Sequence, residues 1–153
     1  MDALNTKIPP LLLLALFMLL NFVLIQQFDA AHSDHPSWTL AAAAVLLLGL
    51  VCCIAGVISF RRARTTVDPR TPAECSALVC SGIYRYTRNP MYVGFSLILL
   101  AQSLYLQSMI GLVVTLLFMA FLQRFQIKPE EQALHQLFGR EFEYYCQRVR
   151  RWL

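Results

Sequence analysis

Four long apolar runs, separated by short polar or basic stretches, dominate the chain. The first, PPLLLLALFMLLNFVLIQ, runs from Pro10 to about Gln26. The second extends from Trp38 to Phe60, the third from Pro90 to about Leu106, and the fourth from about Ile110 to Ile127. A helix needs about 20 predominantly apolar residues to cross the hydrocarbon core of a bilayer. The runs therefore predict spans at about 10–26, 38–60, 90–106 and 110–127. Pro9 and Pro10 suit a helix start, where a missing N–H is no loss. The third run is short, which puts its ends within the interface. Only a few residues around Gln107 and Ser108 separate runs three and four, so the two form an antiparallel hairpin. The expected fold class is all-α: one polytopic integral membrane domain over residues 1–153.

The pattern changes after the fourth run. In Lys128-Pro129-Glu130-Glu131, the proline predicts the end of the spanning helix and the first position of a new one. Glu130 and Glu131 then occupy a first turn, where acidic groups favour the helix dipole, and capping alone explains them as well as a functional role does. The new helix carries Leu134, Leu137 and Phe138 at helical spacing and stops at Gly139. A last helix carries Phe142, Tyr145, Val149 and Trp152 on one side, with Arg148, Arg150 and Arg151 nearby. It reads as an amphipathic helix lying at the membrane surface. Residues 129–153 thus form C-terminal amphipathic helices outside the bilayer. The central loop, residues 61–89, is too long for a mere connection. Its aliphatic content, as in SALVCSGIYRY, implies that it packs against something.

Composition reinforces the membrane reading. Hydrophobic residues make up 58% and charged residues 14%, against roughly 45–50% and about 25% in soluble domains. A net charge of +4 would hint at nucleic acid in a soluble protein. Beside apolar runs it points instead to juxtamembrane charge facing anionic lipid, with membrane lipids and no nucleic acid as partners. Lys7 precedes the first run, and Arg61, Arg62, Arg64, Arg70, Arg85 and Arg88 lie between runs two and three. Arg124, Lys128, Arg140, Arg148, Arg150 and Arg151 sit at or beyond the end of run four. Both termini and the central loop are therefore expected on the cytoplasmic side. The first run is longer than the usual 7–15-residue core of a signal peptide, so a span is preferred to a cleaved leader. His32 and His35 fall in the outer connection, where a solvated loop explains them as simply as a metal site. The five cysteines show no CxxC pair and no companion histidine spacing, so reduced thiols and no metal are expected.

The usual catalytic signatures are missing: no GxGxxG after a strand, no Walker loop, no GxSxG and no HExxH. What remains is RYTRNPMYVG, Arg85 to Gly94, and the carboxylate pair Glu130-Glu131. Such a set suits a cationic cofactor that binds aromatic surfaces. S-adenosylmethionine carries an adenine, a carboxylate, an ammonium and a sulfonium. Tyrosines stack on the adenine and face the cation. A glutamate takes the ammonium, and arginine or backbone N–H groups take the carboxylate.

The run ALVCSGIYRYTRNPMYVG, followed by a helical hairpin and then EEQALHQLFGREFEYYCQRVRRW, resembles the isoprenylcysteine carboxyl methyltransferase family. Its bacterial relatives and the phospholipid methyltransferases are similar. The resemblance covers about Thr65 to Leu153. It implies an all-helical membrane enzyme using S-adenosyl-L-methionine, whose cofactor pocket is closed by the cytoplasmic segments, in a bacterial inner membrane. By that resemblance Ser76, Ala77, Leu78, Val79, Tyr84, Asn89, Pro90, Met91 and Tyr92 line the cofactor pocket. Glu130 is expected near the cofactor's amino group, and Arg124 is expected to orient the acceptor carboxylate. An arginine at a span's end also snorkels. The family usually has His where this chain has Asn89, and asparagine keeps a donor and an acceptor but cannot titrate.

The implied activity is methyl transfer to a lipophilic small-molecule or lipidated acceptor, first of all carboxyl O-methylation of an isoprenylcysteine-like substrate. Methylation of a phospholipid amine is the second reading. Membrane sterol reductases share a similar C-terminal motif, but this chain lacks room for their extra spans. A non-catalytic four-helix membrane protein or small transporter is the alternative from another class. Spans three and four offer it few polar residues, chiefly Gln102, Ser103 and Thr115. The sequence leaves the oligomeric state open.

Overall fold

The computed structural model describes residues 9–28, 36–63 and 78–153. Six α-helices appear among them: α1 (Pro10–Phe28), α2 (Pro36–Arg62), α3 (Pro90–Tyr105), α4 (Met109–Leu122), α5 (Lys128–Phe138) and α6 (Arg140–Arg148). A short 3-10 turn, Gly82–Arg85, precedes α3, and a π turn, Gln123–Ile127, joins α4 to α5. No strand occurs among the described residues; Thr87 and Arg150 make one isolated parallel bridge. The all-α membrane fold expected from the apolar runs is the one observed.

Among the described residues, three stretches are long and apolar enough to cross a membrane: α1, α2 and the helical run that begins at Met109. Their outward faces are leucine-rich. Leu16 and Leu19 of α1, Leu40 and Leu47 of α2, and Leu116 and Leu117 of α4 are all exposed. Water would strongly disfavour such surfaces, whereas lipid tails solvate them. α3 differs. At 16 residues it is only about 24 Å long, short of the roughly 30 Å core. It is also the most enclosed helix, burying Tyr92, Val93, Gly94, Ser96, Leu99, Ala101 and Ser103. It packs against α1, α2 and α4.

Two kinds of contact hold α3 there. Towards α2 the contact is made by small residues. A Cβ on Gly94 would stand 2.6 Å from the Gly49 carbonyl oxygen and clash with Cys53 Sγ. A Cβ on Gly49 would meet the Gly94 carbonyl oxygen at 2.9 Å. Such close backbone approach gives dispersion contact where lipid supplies no hydrophobic drive. Towards α1 and α4 the contact is polar. Asn21, fully buried, donates to Gln102 Oε1 (3.1 Å) and Ser103 Oγ (3.2 Å). Gln102 donates to the Met18 carbonyl (3.2 Å), and the Ser103 and Thr115 hydroxyls lie 3.3 Å apart. The few polar residues that a transport pathway would need are thus the ones that bind the helices together.

The hairpin turn forms as expected. Gln107 adopts a left-handed φ of 51°, and Ser108 caps α4 by accepting from the Gly111 N–H (3.1 Å). The end of the fourth span differs from expectation. Pro129 does not stop the helix: Gln123, Ile127 and Lys128 all have helical dihedrals, and helix continues from Met109 to Phe138. The π turn explains this. Proline lacks an N–H and clashes with the carbonyl one turn back. Widening the preceding turn, with the Lys128 N–H donating to the Gln123 carbonyl, makes room for the ring. Glu130 and Glu131 therefore do not sit at a free helix N-terminus, and the dipole argument for them lapses.

Gly94→Ala is expected to cost about 1–3 kcal/mol, because the new methyl meets a backbone oxygen that cannot swing away. Thermal unfolding in detergent should show a lowered Tm, while Leu116→Ala on the lipid-facing side of α4 should change little.

Candidate active site

At the polar end of the bundle, chain segments far apart in sequence converge. The first is the stretch from Leu78 to Asn89. Leu78 packs against Phe142, Tyr145 and Val149 of the last helix region, and Val79 is buried. Gly82 opens the 3-10 turn with φ +62°, which a side chain rarely adopts. Tyr84, on that turn, is buried edge-on against Phe60 of α2, with centroids 5.3 Å apart. Its carbonyl accepts a hydrogen bond from the Tyr145 hydroxyl (2.8 Å). Burial pushes the Tyr84 hydroxyl well above its ordinary pKa, and the charges of Tyr145 and Glu130 add to the effect.

The turn into α3 is held by the C-terminal tail. The Arg88 N–H donates to the Arg150 carbonyl (3.0 Å). The Asn89 side-chain amide donates to the Arg151 carbonyl (2.9 Å), and the Asn89 N–H donates to Thr87 Oγ1 (3.1 Å). Asn89 thus acts as a tie to the tail. Pro90 follows as the first residue of α3 and is fully buried. Met91 turns towards α2: its side chain fills the space beside Gly56, and its carbonyl lies 3.7 Å from Cys53 Sγ. Tyr92, one position on, is buried, and its hydroxyl donates to Glu130 Oε1.

The two neighbouring glutamates have opposite environments. Glu131 receives two arginines. Arg88 Nη2 lies 2.9 Å from Oε1, and Arg151 engages both oxygens through Nε (3.1 Å each) and Nη2 (2.5 Å to Oε2). This bidentate geometry is the strong form of a carboxylate–guanidinium contact. Glu130 has Tyr92 and, among the described residues, no cationic partner in an ion pair. Burial raises its carboxyl to about 8; the Tyr92 hydrogen bond works in the opposite direction, and the charge of Glu131 raises it further.

The C-terminal tail completes the enclosure. α6 stops at Arg148 and Trp152 leaves its line. Trp152 packs against the bundle core and donates its indole N–H to Gln123 Oε1 (2.9 Å) on the π turn. The apolar face of α6 is likewise used inside the protein: Phe142, Tyr145 and Val149 pack with Leu78, Leu134 and Phe138. The expected surface-lying helix is instead a wall of this polar end.

The structure brings Tyr84, Tyr92 and Glu130 into one neighbourhood, with Asn89 and Pro90 at the turn that leads into Tyr92, while Leu78 packs in the cluster under the last helix. Ser76 and Ala77 lie outside the described residues, as do His32, His35 and Cys75. Arg124 stands apart from the cluster. It is exposed on the π turn, with its guanidinium carbon 5.7 Å from the Phe125 ring centre. His135 is on the surface, 2.8 Å from Glu143. Sequence reasoning missed the partners that fix the site: Arg151, Trp152, Gln123 and the pairing of Arg88 with Glu131. Tandem glutamates downstream of an Arg-Asn-Pro turn were the available signal. It needed the tail to be seen folding back.

Fold and site together define an integral membrane protein with a half-buried carboxylate and two buried tyrosines at one end of its helices. The chain belongs to the phospholipid methyltransferase family, whose model matches residues 38–141. That match takes in nearly all of α2, which lies before the stretch from about Thr65 that carries the resemblance, and it ends at the start of α6. Isoprenylcysteine methyltransferase-like proteins and phospholipid methyltransferases share this superfamily, so the resemblance read from the two motifs holds at that level. Over 63 residues the chain is 41% identical to an uncharacterized protein of Haemophilus influenzae (strain ATCC 51907 / DSM 11121 / KW20 / Rd). The alignment covers 41% of this chain and 100% of that protein. No solved structure matches the chain. The family is one of membrane methyltransferases and implies S-adenosylmethionine as methyl donor.

Glu130 holds its proton to a pH of about 8 in the folded protein and to about 4.5 when unperturbed. Between those values the folded state binds more protons than the unfolded state, so stability falls as pH rises. Relative to Glu130→Gln, the wild type should lose on the order of a few kcal/mol across that window. Parallel denaturation series of the two proteins from pH 5 to 9 check this; equal pH profiles would show that Glu130 is not a desolvated acid.

Proposed function

We propose that this protein is an S-adenosylmethionine-dependent methyltransferase acting on a membrane-embedded, lipophilic acceptor, with carboxyl O-methylation of an isoprenylcysteine-like substrate as its reaction. The observation that carries the reading is Glu130: an enclosed carboxylate with a tyrosine hydroxyl and no ion-pairing cation among the described residues. Both arginines nearby are engaged by Glu131. A desolvated carboxylate of this kind favours a cation that arrives with a ligand. The residues fit the cofactor's ammonium on that ground, and the buried rings of Tyr84 and Tyr92 fit an apolar, aromatic-lined enclosure.

When bound, S-adenosylmethionine supplies an electrophilic methyl group on a sulfonium. Glu130 holds the ammonium, and Tyr92 orients Glu130 through its hydroxyl. Tyr84, Leu78 and Val79 wall the pocket and exclude water. Asn89, Pro90 and Met91 shape its turn, with Asn89 acting through the tail carbonyl it binds. Arg124, exposed on the π turn beside the leucines of α4, holds the acceptor's carboxylate while the lipid chain stays in the bilayer. Alignment and dehydration suffice for a carboxylate acceptor, which needs no general base. A titratable group at position 89 is then dispensable, in accord with asparagine there. We place the site, the central loop and both termini on the cytoplasmic side, from the distribution of basic residues. The membrane is read as a bacterial inner membrane.

The family description favours a second reading, in which the acceptor is a phospholipid amine. An amine must be deprotonated before it attacks. Its rate at saturating donor rises with pH near the amine's pKa, whereas a carboxylate's rate does not.

Labelled S-adenosylmethionine should bind the detergent-purified protein; Glu130→Ala should weaken binding by more than about tenfold through loss of a charged contact, and Tyr84→Ala should weaken it through loss of the buried aromatic wall. Absence of binding to folded wild type would favour the scaffold or transporter reading. For Arg124→Ala, a raised acceptor KM with an unchanged donor KM is expected. Full transfer with an unchanged acceptor KM would remove Arg124 from the site. The same assay, run from pH 6 to 9 at saturating donor, separates the two acceptor classes.

A further inference from the structure

We infer that Glu130 carries a proton in the empty site and releases it when a cationic group binds, so that ligand binding is coupled to the loss of one proton. This rests on the reading of Glu130 as an ammonium-binding residue and goes beyond it, because it assigns the charge state of the site before the ligand arrives.

Among the described residues the geometry leaves the empty site without a counter-charge. From α3, Glu130 meets the Tyr92 hydroxyl, which is a neutral donor. From the 3-10 turn, Tyr84 is near enough for its titration to feel the glutamate's charge, and it too is neutral. On its own helix the neighbour is Glu131, an anion. Among the described residues, Arg88 and Arg151 are directed at Glu131, whose side chain is only 16% exposed. Backbone offers no substitute. The helix runs on through Gln123–Lys128 without a break, so α5 has no free N-terminus to hold an anion. A carboxylate so placed loses hydration and gains one hydrogen bond, which does not offset the cost of a buried charge. The cheaper state is the carboxylic acid. The rise of its pKa to about 8 by burial agrees with this.

An entering ammonium reverses the balance. The carboxyl O–H bond breaks and its proton goes to solvent, while the carboxylate takes the ammonium as its charge partner. Charge in the enclosed site is zero before this exchange and zero after it. Glu131 makes the contrast within one sequence step, because two guanidinium groups are already in place around it. The same backbone therefore carries one carboxylate for architecture and one held neutral until a ligand comes. The coupling makes affinity for the cation climb with pH by about tenfold per unit below the Glu130 pKa, levelling off above it.

The test is isothermal titration calorimetry of the full-length protein in detergent at pH 6.5. S-adenosylmethionine and S-adenosylhomocysteine are the ligands, and three buffers of different ionisation enthalpy are used. At that pH the ligand's α-amino group, with an ordinary pKa of about 7.7–8.0, is already charged and contributes little. The expected result is release of about one proton per ligand bound, the same for both ligands because both carry the ammonium. Glu130→Gln, which keeps an acceptor for Tyr92, should bind more weakly with no proton released. An infrared difference spectrum of wild type, bound minus free, should show the loss of a protonated carboxyl C=O band that Glu130→Gln lacks. Binding without proton release, or a carboxyl band unchanged on binding, overturns the coupling and leaves the cofactor reading standing. Failure of both ligands to bind folded wild type overturns the cofactor reading and the coupling with it.

Discussion

Glu131 is the point on which the polar end of this protein depends. Its carboxylate joins Arg88, just before α3, to Arg151 at the C-terminus, and it is carried on α5. Three segments that share no secondary structure are thereby fixed to one another. Around that junction the backbone of Thr87–Arg88 pairs with Arg150, the Asn89 side-chain amide donates to the Arg151 carbonyl, and Trp152 reaches down to the π turn. A partly enclosed charge cluster of this kind is held by the geometry of its bidentate contacts. Removing one member leaves the others desolvated and unpaired. The tail is consequently part of the site wall, although it contributes none of the residues assigned to the cofactor.

The membrane half of the molecule follows a different logic. There the exposed leucines carry no association energy, because lipid is as apolar as a neighbouring helix. α3 is held by glycines that let it touch α2 and by the buried amides and hydroxyls of Asn21, Gln102, Ser103 and Thr115. These contacts matter for the site because Asn89, Pro90 and Tyr92 all stand at the beginning of α3. The π turn has a similar dual effect. It accommodates Pro129 and lets a single helix leave the bilayer and deliver Glu130 to Tyr92. It also removes the free helix end that would otherwise have stabilised that anion.

Much of the plan was legible in the sequence. Apolar runs have only one way to satisfy their backbone in hydrocarbon, so four helices and a tight hairpin followed from hydropathy and length. Pro90 starting α3 and Gly139 ending α5 followed from the ring's missing N–H and from a backbone with φ +50°. The candidate residues Tyr84, Tyr92 and Glu130 were named from residue chemistry and a family resemblance, and they prove to be neighbours. Two local rules misled. Proline was read as a stop, whereas a widened turn absorbed it. The C-terminal amphipathic helix was expected to lie at the membrane surface, whereas its apolar face packs inside the protein on Leu78 and α5.

The sequence by itself determined the class of solvent, the number of helices and the types of side chain available at the polar end. Those properties depend on each segment's own hydropathy, length and local dihedral preferences. Only the tertiary structure decided which of two adjacent glutamates is neutralised and which is left for a ligand. Arg88, Glu131 and Arg151 lie far apart along the chain. A charge's partner is set by distance in space and by exclusion of water, neither of which a one-dimensional pattern contains.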